Sequence, residues 1–141
     1  AASNFISGRI FNAVWNDIAE EVVSDGSLKP GDLAFVDITH KTFRVTKYQG
    51  VNDAFIGVVS KDPGMIVGLT PGRKNAVFIG LKGQLVVNVK NPKDFTVGRR
   101  LYFCKDGTLK DSLTMFHDEF NQSKYLGVII ELHDDHIKIF V

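Results

Sequence analysis

Asn16, Asp17 and Glu20 lie together in the stretch Phe11-Asn12-Ala13-Val14-Trp15-Asn16-Asp17-Ile18-Ala19-Glu20-Glu21. An Asn side-chain amide can attack its own backbone carbonyl, closing a succinimide and releasing the next residue's amine. Here that route would open the Asn16–Asp17 bond. Asp17 would hand a proton to the departing nitrogen, and Glu20 would orient Asp17 or act as base. The same residues also fit an ordinary helix start, with Asn16 as cap and Asp17, Glu20 and Glu21 complementing the N-terminal dipole. Geometry decides between chemistry and capping. Positions three apart share a face on a helix but point to opposite faces on a strand. The segment Asp17 to Val23 reads either way: two helical turns, or an edge strand favoured by β-branched Val22 and Val23.

Other chemistry-bearing residues are sparse. The histidines are His40, His117, His133 and His136, and none shows the i, i+4 pairing of a helical metal site. His133 and His136 bracket Asp134 and Asp135, which reads as a solvated hairpin turn. No metal site is expected. Cys104 is the only cysteine, so an intrachain disulfide and a Cys-cluster metal site are both excluded. It sits in the apolar run Leu101-Tyr102-Phe103-Cys104 and is expected to be a small buried hydrophobe. Gly31-Asp32 before an apolar strand has the turn grammar of self-cleaving repressors and signal peptidases, but their Ser-Met nucleophile motif is missing. Gly64-Met65-Ile66-Val67-Gly68 lacks the Lys-Ser/Thr ending of a phosphate-binding loop.

The elements that must position these residues read as strands. The 141 residues suit one domain, and 44% apolar content supports a real core. Phe, Val and Ile are abundant and Gly recurs throughout, a composition of strands and turns. Apolar or alternating runs occur at 33–36, 42–47, 54–59, 65–67, 76–81, 84–89, 100–103, 125–130 and 136–141. Lys82-Gly83 reads as a hairpin between two of them, and His133-Asp134-Asp135 as another. The stretch 112–123 reads as a long loop with at most one helical turn. The expected fold is all-β, a barrel- or sandwich-like domain of about nine to ten short strands over residues 15–141. Residues 1–14 read as an N-terminal arm or the end of an upstream stem, apolar enough to pack against a neighbouring subunit.

An internal echo runs through the chain. Lys29-Pro30-Gly31-Asp32-Leu33-Ala34-Phe35-Val36 is followed by Phe55-Ile56-Gly57-Val58-Val59. Thr96-Val97-Gly98-Arg99-Arg100-Leu101-Tyr102-Phe103 is followed by Tyr125-Leu126-Gly127-Val128-Ile129-Ile130. Each half reads as turn, strand, hairpin and Gly-containing strand. Duplication and shared turn grammar both account for it.

The formal charge is +1, and no basic block is present, so nucleic-acid binding is not expected. No apolar run has the length of a membrane span, and no membrane partner is expected.

The run Trp15-Asn16-Asp17-Ile18-Ala19-Glu20 resembles the Asp-x-Ala-Glu motif that opens the C-terminal domain of phage neck-appendage and tail-spike proteins, a self-cleaving intramolecular chaperone. The order that follows is similar: Gly31-Asp32, then Ile56 to Val59, then Gly80-Leu81-Lys82-Gly83, then a terminal hairpin. The resemblance spans about residues 12–141. It implies a β-rich homotrimer that helps fibre chains fold in register, made in bacterial cytoplasm and carried on the virion tail. The upstream stem of the same chain would be its partner. It further implies cleavage at Asn16–Asp17 with Asp17 and Glu20 as the catalytic pair. The family motif has Ser where this chain has Asn16, which would change the nucleophile. The family domain is linked to ATP, but no residues here carry that over, and no cofactor is expected. A second expectation is a receptor-binding head that recognises host cell-surface saccharide through Tyr48-Gln49-Gly50 and the segment Phe116 to Tyr125.

Overall fold

The computed structural model describes residues 17–68 and 75–141. Asn16 and the arm at 1–14 lie outside the described residues. The fold is all-β, a curled, mainly antiparallel sheet that forms a half-barrel. Its ten strands are β1 (Asp17–Val23), β2 (Leu33–Val36), β3 (Val45–Thr46), β4 (Phe55–Ser60), β5 (Met65–Val67), β6 (Ala76–Asn88), β7 (Arg100–Phe103), β8 (Leu109–Asp111), β9 (Lys124–Leu132) and β10 (His136–Phe140). The main path through the sheet runs β3-β2-β4-β6-β10-β9-β7-β8.

Of the two readings of residues 17–23, the strand is the one the fold adopts. β1 is not an edge strand, because it is parallel to β5 on one side and antiparallel to β6 on the other. Pairing on both sides satisfies its backbone in a way two isolated helical turns could not.

The expected hairpin at Lys82-Gly83 is not formed. β6 continues through it as one long strand and changes partners. Its first half lies between β1 and β4, Gly80 pairing with both Ala19 and Val58. Its second half pairs with β10. Gly83 takes φ 105°, a backbone state that suits glycine, and exchanges two hydrogen bonds with Val141 (3.3 and 2.9 Å). Leu81 is skipped in the register with β1, so the strand bulges and bends there. The strand expected at 42–47 shortens to β3, and β8 is an additional strand. The segment 112–123 contains a 3-10 helix, His117–Gln122.

The echo in the sequence is a structural repeat. β2 pairs with β4 through Ala34↔Gly57, then Phe35↔Phe55, with the register slipping past Ile56. β7 pairs with β9 through Leu101↔Gly127, then Tyr102↔Tyr125, slipping past Leu126. The entry turns match as well. Gly31 N–H donates to Val59 O and Gly98 N–H to Ile129 O, both at 2.8 Å. Gly31 and Gly98 share φ values of 89° and 91°. β3 and β8 occupy the same place against β2 and β7.

Two apolar clusters form the core. The larger holds Phe35, Leu101, Phe103, Ile129, Ile137 and Ile139 and joins the two repeats. The smaller, beneath β1, holds Val22, Ala34, Val45, Val59 and Ile79. Cys104 is buried as expected, and burial pushes its thiol pKa up.

Candidate functional site at the start of the first strand

Asp17 opens β1 and is 5% exposed. Its backbone carbonyl accepts from Gly64 N–H (2.9 Å), which ties the strand's first residue to the turn before β5. Asp17 lines a cavity of about 240 Å³ together with Ser60, Lys61, Gln84 and Lys138. Ser60 Oγ donates to Asp17 Oδ2 at 2.6 Å. Ser60 ends β4, so the bond ties together two strands that each pair with β6. Among the described residues it is the one hydrogen-bond partner of this carboxylate. An ionised carboxylate out of water needs such a partner, since desolvation without one is costly.

Glu20 has a different environment. It is exposed, opposite Val67 of β5 and Ile79 of β6. Its side chain runs close to Gly68, where a Cβ would come within 3.1 Å of Glu20 Cγ. Three residues of extended strand separate the two Cα atoms by roughly 10 Å, with the side chains on opposite faces. The acid pair that a helix would have assembled from Asp17 and Glu20 is therefore not brought together. Asn16, the third member, lies outside the described residues.

Ser60 is the residue that sequence reading missed. Nothing in Val58-Val59-Ser60-Lys61 marks it, because its partner is 43 residues away.

The other sequence candidates resolve into local structure. His133 and His136 stack at 4.4 Å on the β9–β10 hairpin, where each meets a carboxylate. His133 Nε2 lies 2.7 Å from Glu131 Oε1, and His136 Nδ1 lies 2.7 Å from Asp135 Oδ1. These contacts hold both carboxyls below their usual range. Among the described residues, no three His, Cys, Asp or Glu side chains converge as a metal site. The Phe116 to Tyr125 segment splits: Phe116 and Tyr125 are exposed, whereas Phe120 meets Tyr102 edge-on at 5.3 Å.

A larger concavity lies between the repeats. It has a volume of about 940 Å³ and is reached by Asp32, Tyr48, Asn88, Lys90, Asn91 and Phe103, among others. Of the Tyr48-Gln49-Gly50 segment, Tyr48 is the residue that lines it. No family model, curated protein or solved structure matches the chain.

Proposed function

We propose that the chain is the C-terminal assembly cap of a phage tail fibre or spike, a homotrimer that keeps three upstream stems in register. The observation that carries this reading is the surface beside β1. Met65, Ile66 and Val67 of β5 are all about 40% exposed, and among the described residues β5 pairs with β1 alone. A half-exposed apolar edge strand invites pairing with another chain. It adjoins the strand that begins where the upstream segment enters. A second apolar patch supports the same reading. Val86 and Phe140 are exposed on neighbouring strands β6 and β10, on the face opposite inward-pointing Leu85, Val87, Ile137 and Ile139.

The reading takes Asp17 as an anchor for the entering chain and not as a cleavage catalyst. Its carboxylate is engaged by Ser60, and Glu20 lies on the other face. A chain extended upstream of residue 1 should keep its intact mass over days at neutral pH.

Sedimentation equilibrium tests the assembly. The expected species is a trimer, and Met65→Lys with Val67→Lys should shift it to a folded monomer. A wild-type chain that stays monomeric at every concentration would refute the cap.

A further inference from the structure

We infer that the groove between the two repeats is a binding site for an uncharged oligosaccharide. This inference does not depend on the cap reading, since it uses a different face of the molecule. The groove's volume of about 940 Å³ falls in the range of small-molecule sites, roughly 300–1,000 Å³.

Its chemistry suits a ligand with an apolar ring face and a hydroxyl rim. Tyr48 supplies the platform. The residue is 36% exposed, yet its ring meets Phe35, tilted, at 5.2 Å and Phe103 edge-on at 5.0 Å. Gly107 closes the third side: a Cβ there would meet Tyr48 Cε2 at 2.9 Å, so the ring occupies space that any other residue would take. A ring fixed before the ligand arrives loses little freedom on binding.

The rim offers oriented acceptors and donors. Asn88 Nδ2 donates to Asp32 Oδ1 (3.3 Å) and to Pro30 O (2.9 Å). Asn91 Nδ2 donates to Asp94 Oδ1 (3.1 Å). Each carboxylate is thus fixed in orientation and keeps lone pairs for sugar hydroxyls. Lys47 and Lys90 also line the groove, so its lysines and aspartates balance in charge. That balance leaves the groove without a net charge to favour an anion or a cation.

The test is a ¹H–¹⁵N titration of the whole chain with triacetylchitotriose and, separately, with maltotriose. Saturable shifts at Tyr48, Asn88, Lys90 and Gly107 are expected with one of them. Tyr48→Ala should weaken binding about tenfold, and Tyr125→Ala should leave it unchanged. Because Tyr48 touches core rings, the rim variants Asn91→Ala and Asp94→Asn provide a second measurement. Each should weaken binding severalfold in a fully folded chain. The inference is overturned if neither trisaccharide moves these amides, or if they move equally in the Tyr48 and rim variants. Tighter binding of glucose-1-phosphate than of either trisaccharide would overturn the uncharged assignment. Shifts that track protein concentration instead of sugar would place a second copy of the chain in the groove and overturn the inference as well.

Discussion

Ser60→Ala removes the hydrogen bond to Asp17 and leaves the carboxylate in place. Asp17 is 5% exposed and Ser60 is the one hydrogen-bond partner of its carboxylate among the described residues, at 2.6 Å. A buried polar group stripped of its partner costs about 1–3 kcal/mol, and a charged one more. Asp17→Ala removes the carboxylate itself and leaves only the half-buried Ser60 hydroxyl, which can turn to water, so the loss should be smaller, about 1 kcal/mol. The double variant should resemble Asp17→Ala, with a coupling of about 1 kcal/mol or more in the cycle. The assay is urea unfolding at neutral pH and fixed protein concentration, since assembly shifts apparent stability by mass action. In heat, each kcal/mol should move the midpoint by roughly 2–8 °C for a domain of this size. An anchor at this junction should also slow proteolysis near residue 17 in the wild type and not in the variants. The reasoning fails if Ser60→Ala stays within about 0.5 kcal/mol of wild type, the range of an ordinary surface change. It also fails if the two single losses simply add.

Two further predictions concern stability. Gly127 has φ 153°, and a Cβ there would lie 2.6 Å from Phe140 O, a backbone atom. At its counterpart Gly57 the tight contact would be with the Ile79 Cγ2 methyl, also at 2.6 Å, while backbone Gly80 O stands at an ordinary 3.5 Å. Gly127→Ala should therefore cost about 2–4 kcal/mol and Gly57→Ala about 1–3 kcal/mol in denaturant; the reverse order would undo the strain argument. Asp37 accepts from Thr39 Oγ1 (2.7 Å) and Thr39 N (3.0 Å) and pairs with Arg44 at 2.9 Å. These contacts, the Thr39 hydroxyl first, hold its carboxyl well below the usual carboxylate range. A depressed folded-state pKa contributes stability that is fully present above the unfolded value and is lost as pH falls from there through the lower folded value. The wild-type urea midpoint should therefore drop between about pH 5 and pH 2, and Asp37→Asn should flatten that slope while lowering the neutral-pH midpoint. An unchanged slope would refute the assignment.

What could be read from the chain depended on how local its cause was. Pro30-Gly31-Asp32 and Val97-Gly98 announce turns because the backbone state they need is local, and both glycines take positive φ. Ile137 and Ile139 alternate with His136, Lys138 and Phe140, so β10 was legible as a half-buried strand. Lys82-Gly83 misled, because a bulge in a bent strand uses the same residues as a hairpin turn. Leu109-Lys110-Asp111 is too short to show a period. The state of Asp17 to Val23 was undecidable locally, since its strand form depends on β5 and β6, which lie far along the chain. The same holds for the site: Asp17 was visible, but its bond to Ser60 and the face of Glu20 are consequences of pairing.

The repeat explains why, among the described residues, the aromatic of the first repeat borders an open groove and that of the second does not. Phe35 and Tyr102 are matched positions, each opposite an aromatic on the Gly-containing strand. Phe35 is covered by Phe103 of the second repeat, 5.1 Å away. Among the described residues Tyr102 is met instead by the 3-10 segment, which brings Phe120 edge-on at 88°. Thr46 and Lys110 pair with these matched aromatics. Two residues beyond them stand Tyr48 in one repeat and Ser112 in the other. A serine cannot offer a ring platform, and the segment that follows it folds back as a cap. Terminal units of repeat architectures are commonly closed in this way, because an uncovered apolar face would otherwise meet water. The first repeat thus leaves an open aromatic shelf at its boundary, and the second spends the equivalent surface on its own closure. Replacing Phe120 with Ser should therefore expose Tyr102 and promote association through that end, and leave ligand shifts at Tyr48 intact.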